Sequence, residues 1–423
     1  MAITIESNPQ DFTTVGNPIT FVLSSTNVAQ PNFKYVADVF IGATQLVRLK
    51  TSPNPNNDQG YFDIREVLRT QIGINTDIGE GRGFECPDMW KEYTVEFSEE
   101  YTGASATTYD FTGTVYCGAI NTLDFPSYDF TDYVVSSTPA IHQLLTNRPE
   151  SSVAIAQQSG HLQSGYLYVP CTIENSANID WVRYRYYSNA GAVLREYYLQ
   201  TKNYPYHNAN DPNENSVITV PFMPLEVYSI PSGYTSDSDD GTVDFPFDDG
   251  YYSLTLSRGD NDTQLQSAEY IVNLNVGCQR YDLTEVHFQN QFGGVDSYVF
   301  NKVKREVQSI ERLQASKPLL SMGDTYSYTR SDYSRFNASV DFTRQYTASS
   351  DWLTDAEFEW LAEMVRSPRT WVRSSYMGES GVIDVLIPIL ITDTNYNVWK
   401  RDFDQLHTLS ITYRYTFDEA VPL

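Results

Sequence analysis

The chain has little positive charge: 28 Lys and Arg stand against 54 Asp and Glu among 423 residues, a formal net charge of −26. Such a surface repels phosphate backbones and anionic headgroups, so sequence-independent nucleic-acid binding is not expected over most of it, and the acidity reads first as a solubility device. Cysteine is scarce too. Cys86, Cys117, Cys171 and Cys278 are spread singly, with no Cys-x-x-Cys pair and no histidine at zinc-ligand spacing, so buried thiols are expected. A Cys86–Cys117 disulfide stays open within one domain, and a cytosolic origin argues against it. No run approaches the roughly 20 apolar residues that span a bilayer, and Met1 to Gln10 has neither the basic start nor the apolar stretch of a signal peptide. The expectation is a chain made in the cytosol, without membrane insertion.

Catalytic patterns are also missing. His142, His161, His207, His287 and His407 are isolated from one another, and there is no nucleophile elbow, phosphate-binding Gly-Lys-Ser/Thr loop or dinucleotide-binding glycine motif. Paired carboxylates could serve a glycosidase, yet with 54 acidic residues such pairs carry no signal. Asp237, Asp239 and Asp240, followed by Asp244, Asp248 and Asp249, could supply oxygens to calcium; their spacing does not match an EF-hand, and a solvated acidic loop is the plainer reading. Arg258-Gly259-Asp260 sits in a polar stretch between two strand-like runs and reads as a turn. The expectation is therefore no enzyme, no cofactor and no metal.

What is abundant favours strands: 32 Tyr and 21 Phe against 6 Met. The length suggests two to four domains at roughly 100–200 residues each. The expected fold is mostly β, with two immunoglobulin/fibronectin-like β-sandwich domains followed by an α+β C-terminal domain. The first sandwich covers 1–117, where Phe33 to Ile41 and Thr44 to Lys50 flank Gly42-Ala43 as a hairpin and Tyr93 to Phe97 pairs with Phe111 to Cys117. A short crossing helix follows Asp63, with Ile64, Val67, Leu68 and Ile72 at helical spacing. Residues 118–165 read as an extended connector too apolar to hang free, because of Phe125, Tyr128, Phe130, Tyr133 and Val134.

The second sandwich, 166–276, shows strands at Tyr166 to Cys171, Trp181 to Tyr187, Ala192 to Leu199, Ser216 to Pro221, Tyr251 to Leu256 and Ala268 to Val276, with a polar insert at 202–249. In 277–423, two strands flank Gln291-Phe292-Gly293-Gly294-Val295, and Val340 to Thr347 is a further strand. Thr354-Asp355-Ala356-Glu357 is a capping box with Leu353 and Phe358 as its staple, and Ser367-Pro368 ends the helix. Val382 to Ile391 contains Pro388, which favours an edge or bulge, and Leu409, Ile411, Tyr413, Tyr415 and Phe417 alternate as a half-buried strand.

The candidate interaction residues lie mainly among the aromatics. Trp181, Tyr184, Tyr186, Tyr197 and Tyr198 lie on adjacent strands whose alternate members face opposite sides, so one set is expected to leave the core as a partner surface or a sugar platform. Phe222, Leu225, Tyr228 and Phe245 punctuate the polar insert, where exposure without burial is unfavourable and a neighbouring subunit could cover them.

A resemblance joins these observations. Glu6-Ser7-Asn8-Pro9, Gly16-Asn17-Pro18-Ile19 and Asp38-Val39 resemble the opening of virion structural proteins of tailed phages infecting Bacteroidetes, including crAss-like podoviruses. Leu145-Thr146-Asn147-Arg148-Pro149 and Phe292-Gly293-Gly294-Val295-Asp296 add to the likeness. It implies a tail, neck or baseplate component, a ring or hub subunit that assembles with itself and with neighbouring tail or neck proteins inside the host cytoplasm. The alternatives are a carbohydrate or receptor-binding virion module and a β-rich glycan depolymerase.

Overall fold

Strand-favouring residues in short alternating runs dominate the chain, and they pair almost entirely into antiparallel ladders, with 57% of residues in strands and 9% helical, as the composition demands. The computed structural model describes residues 3–75, 86–102, 104–133, 143–149, 151–155, 165–171, 181–188, 190–200, 216–221, 226–228, 242–244, 250–258, 264–265, 267–275, 280–316, 335–378, 381–392 and 407–417. No helix among them is long and apolar enough to cross a membrane.

The first region contains β1 (Ile3–Ser7), β2 (Phe12–Thr14), β3 (Thr20–Ser25), β4 (Lys34–Ile41), β5 (Thr44–Thr51), β6 (Gly60–Asp63), α1 (Arg65–Arg69), β7 (Trp90–Tyr101) and β8 (Ala104–Tyr116). A three-stranded sheet, β1-β3-β6, faces a five-stranded sheet, β2-β8-β7-β4-β5. Phe21, Leu23 and Phe62 from the first meet Tyr35, Val39, Tyr93, Val95 and Phe97 from the second in one core, closed by Ile64 and Leu68 at the short helix. Each strand sends alternate residues inward, which is why Tyr93, Val95 and Phe97 are buried while Glu92, Glu96 and Glu100 of the same strand face outward. The hairpin of β7 and β8 is longer than the sequence suggests, running to Tyr101↔Ala104.

A second set of strands follows: β9 (Ser151–Ile155), β10 (Tyr166–Cys171), β11 (Trp181–Tyr187), β12 (Val193–Gln200), β13 (Ser216–Pro221), β14 (Glu226–Tyr228), β15 (Thr242–Asp244), β16 (Gly250–Arg258), β17 (Gln264–Leu265) and β18 (Tyr270–Asn275). The pair β10-β13 packs on a larger sheet, β15-β14-β12-β11-β16-β18-β9, through Leu167, Val169 and Val220 against Tyr184, Tyr197, Tyr252, Leu254 and Val272. The stretch read as a connector is partly integral to this sheet, because β9 runs parallel beside β18. Its aromatic members Phe125, Tyr128, Phe130 and Tyr133 are packed, as their apolarity requires; Val134 lies outside the described residues.

The third set comprises β19 (Thr284–Gln289), β20 (Val295–Phe300), β21 (Arg305–Ser316), β22 (Arg335–Ser349), α2 (Asp355–Arg366), β23 (Thr370–Gly378), β24 (Gly381–Ile391) and β25 (Ser410–Tyr415). Seven strands form one sheet, β20-β19-β23-β24-β25-β22-β21, and α2 lays Phe358, Trp360, Leu361 and Met364 on it. Pro388 sits in an interior strand, not an edge. It is tolerated at the end of the β25 ladder, which begins at Ile389, where only its carbonyl is engaged, accepting from Thr416 N at 3.2 Å.

The capping box is formed in both directions: Thr354 Oγ1 accepts from Glu357 N at 3.3 Å and Thr354 N donates to Glu357 Oε2 at 3.0 Å. Thr354→Ala is expected to cost about 0.5–2 kcal/mol by stranding a helix N–H. An unchanged denaturation midpoint would place the start of the helix elsewhere.

A fourth core ties the three regions together. Cys86, Met89, Tyr116, Cys117 and Ile120 pack with Phe130, Leu145, Tyr166, Tyr168, Val217, Phe292 and Val295. Cys86 and Cys117 are both buried thiols and no disulfide joins them; burial raises the Cys117 thiol to about 11. At this pKa Cys117 is a packing residue, not a nucleophile.

Candidate interaction surface

The four described tyrosines expected at an interaction surface do not form one. Tyr184, Tyr186, Tyr197 and Tyr198 are all buried. Alternation does split them: Tyr184 opposes Tyr197 on the core face, while Tyr198 opposes Arg183 on the other. That second face is buried as well, with Arg183, Thr255 and Ser257 around it, and Tyr198 Oη donates to Glu196 Oε2 at 3.0 Å in a polar layer that includes the Arg185–Glu196 pair. The expectation failed because it assumed a sheet with one covered side. Trp181 heads β11, and Tyr228 pairs by its backbone with Tyr198 and Thr242; their side chains, and all of Phe222, Leu225, Phe245, Asp237, Asp239 and Asp240, lie outside the described residues. Among the described residues no group of three His, Cys, Asp or Glu could hold a metal ion.

Two of the sequence landmarks, 150 positions apart, meet instead in a buried clamp. Thr146 Oγ1 donates to the Asp296 carboxylate at 2.9 and 3.0 Å, and Trp360 Nε1 donates to it at 2.7 Å. Asn290 Nδ2 holds the Leu145 carbonyl at 2.8 Å, and the Arg148 guanidinium lies 5.1 Å over the Trp360 ring. Desolvation raises the Asp296 carboxyl above its usual range, against the hydrogen bonds from Trp360, Thr146 and Asn290; burial lowers Arg148 to about 10 although Asp296 opposes the shift. The clamp thus joins residues 145–148, the β19–β20 turn and α2.

Beside it, burial raises Glu363 to about 6 despite hydrogen bonds from Asn147 Nδ2 and Gln291 N. A carboxyl whose folded pKa lies above its unfolded value favours the folded state when protonated, so its contribution is full below about pH 4.5 and is lost as pH rises through about 6. Glu363→Gln is expected to flatten the dependence of the unfolding midpoint on pH across that window. An unaltered slope would mean Glu363 titrates normally. This residue also lines an open cleft of about 690 Å³ with Arg69, Arg366, Arg369 and Gln291. Arg69 and Arg366 occupy the last turns of α1 and α2, where cations balance the helix dipole.

Two of the histidines, although apart from one another, have a carboxylate neighbour: His407 Nε2 lies 2.6 Å from Asp355 Oδ1. His287 Nε2 lies 3.0 Å from Glu285 Oε1, and Arg373 bridges Glu285 Oε2 at 3.1 Å to Asp384. Ser297 stands directly across the ladder from His287. A serine, histidine and carboxylate in proximity suggest acyl-transfer chemistry, but all three are under 5% exposed, which leaves a substrate no access in this conformation.

Exposure is concentrated elsewhere. Before Tyr346, β22 is not paired with β25, and among the described residues β21 has β22 as its only strand partner, so the two run out of the sheet as an antiparallel ribbon. Twelve residues of β21 span roughly 40 Å. Val307 at 58% and Leu313 at 64% exposure lie on one face with Phe336; Ile310 and its opposite number Phe342 lie on the other with Val340. Arg344 lies over the Phe342 ring at 5.4 Å and pairs with Glu306 at 3.3 Å. The sequence reading missed β21. Its Glu, Gln, Arg, Leu and Ala are helix formers, and Val307, Ile310 and Leu313 recur every third residue, a spacing that hides a strand.

Comparison with known proteins leaves this architecture without a family: no family model matches the chain, and no curated protein matches it. Among solved structures it is similar, over 74% of its length and 65% of the other chain, to a family 64 laminaripentaose-producing β-1,3-glucanase from Paenibacillus barengoltzii complexed with laminarihexaose. The identity is 11% and the TM-score 0.17, so the chain spans less than two thirds of that enzyme and the likeness carries no argument about fold or activity.

Proposed function

We propose that the chain is a structural protein of a tailed-phage virion, an oligomeric ring or hub subunit of the tail or neck, built to contact copies of itself and neighbouring tail proteins. The observation that carries the self-assembly part is the ribbon. A two-stranded hairpin is marginal in water on its own, and this one exposes apolar side chains on both faces, so burial against another subunit would supply what it lacks. The phage part rests on the sequence resemblance; two of its landmarks form the central clamp, which gives them a common structural purpose.

Immunoglobulin-like modules belong to the same proposal. In the first region, a three-stranded sheet packed on a five-stranded one, with the chain crossing from one sheet to the other between β1 and β2 and pairing parallel with the last strand, supports it. The carbohydrate-binding alternative relied on aromatic faces that are buried, and no specific observation favours the depolymerase. The test is the composition of purified particles by mass spectrometry and electron microscopy. Many symmetric copies in the tail or neck are expected; absence from the virion, or a non-symmetric trace, would overturn the reading.

A further inference from the structure

The geometry points to a defined contact, resting on the self-assembly reading above: the β21–β22 ribbon of one copy docks onto the outer face of the five-stranded sheet of a second copy. Charge complementarity selects that occupant. The two ribbon strands carry four arginines, Arg305, Arg312, Arg335 and Arg344, against three acids, Glu306, Glu311 and Asp341, so they are net positive on a chain of net charge −26. Arg312 and Arg335 are exposed on the Ile310 face, where Arg344 is engaged with Glu306, whereas Arg305 is exposed on the opposite face.

The outer face of the five-stranded sheet is the opposite case. Glu92, Glu96 and Glu100 project from alternate positions of β7, and Asp110 of β8 stands directly across from Glu96. Like charges placed opposite one another on neighbouring strands are destabilising. Asp38 beside them is satisfied by two hydrogen bonds of 2.7 Å from Arg48, and Glu100 is paired with Lys50, which leaves Glu92, Glu96 and Asp110 as the acidic centre of that face. Arginine forks from an incoming ribbon would offset the Glu96–Asp110 repulsion.

Among the described residues the ribbon is also the sheet's terminal strand pair, with the 12 residues of β21 at its edge. The two surfaces differ, so the contact is heterologous. Repeated head to tail, it closes into a ring when the rotation permits and runs on as a filament otherwise.

Sedimentation equilibrium of the full chain at low ionic strength, up to about 100 μM, tests the contact. The wild type is expected to self-associate with a dissociation constant that rises with salt. R312E/R335E and, separately, E92K/E96K/D110K are each expected to weaken association by about tenfold or more, and the two sets together to regain it. All five positions are at least partly exposed, and circular dichroism of each variant checks that the fold persists. A wild type that stays monomeric, arginine variants that associate as before, or a combined variant that fails to recover would each overturn the contact. Unchanged association of the arginine variants leaves the proposed virion function standing, whereas absence from particles would remove that function and leave the contact intact.

Discussion

Asp296→Ala is expected to destabilise the folded chain by roughly 2–6 kcal/mol, because it leaves two buried hydrogen-bond donors without their acceptor. The carboxylate is 1% exposed and accepts from Thr146 and Trp360, and it is the leading favourable influence on the ionised form of Arg148, itself 4% exposed. Alanine would strand the Thr146 hydroxyl and the Trp360 indole N–H, two separate costs at one site, and remove a carboxylate that favours the charged form of Arg148. Asp296→Asn is the informative control. It keeps an acceptor for Trp360 while removing the charge, so it should lie between the wild type and alanine. Urea unfolding followed by circular dichroism, with hydrogen exchange at 145–148 and 289–296, reads both variants. A loss below about 1 kcal/mol for alanine would show that the clamp does not hold the regions together.

That clamp explains which parts of the molecule were legible in the sequence. Local signals were reliable: Gly42-Ala43 marks a hairpin, and Thr354 with Glu357 starts the helix where the capping box says it should. These depend on neighbours within a few residues, so the local code suffices. Non-local choices were not legible. Whether the second face of β11 and β12 is covered depends on chain far away, so an aromatic pattern cannot say that Tyr198 is buried. The parallel pairing of β9 with β18 joins residues 151–155 to 271–275, and no turn residue announces it. The strand β21 is a tertiary override: 12 cross-strand pairs with β22 hold a helix-favouring composition extended. Tyr184, Tyr186, Tyr197 and Tyr198 are buried against the expectation for the same reason, since aromatic content marks apolar area without stating which neighbour covers it.

The tightest constraint in the molecule is at Gly293, and Gly293→Ala is expected to cost more than about 4 kcal/mol or to prevent the three regions from docking. Its φ of +94° already excludes most side chains, yet the larger obstacle is space: a Cβ would stand 1.3 Å from the Cys117 carbonyl oxygen and 2.2 Å from its carbon. Neither side can withdraw cheaply. Cys117 N is bonded to the Met89 carbonyl at 2.7 Å, Ala119 N to the Gln291 carbonyl at 2.7 Å, and Phe292 is packed in the shared core. Gly42 separates the two contributions, because its φ is +54° but nothing lies within 4 Å of a Cβ there. Gly42→Ala therefore pays only the left-handed backbone penalty, about 1–2 kcal/mol. The steric term at Gly293 comes on top of that. With 289–294 displaced, Asn290 would lose the Leu145 carbonyl and Gln291 N would lose Glu363, so hydrogen-exchange protection should fall at 117–120 and 289–294 while the hairpin of β4 and β5 stays protected. If Gly293→Ala proved no more destabilising than Gly42→Ala, the close approach of the Phe292-Gly293-Gly294 turn to Cys117 would be wrong, and with it the joint between the N-terminal sandwich and the C-terminal sheet.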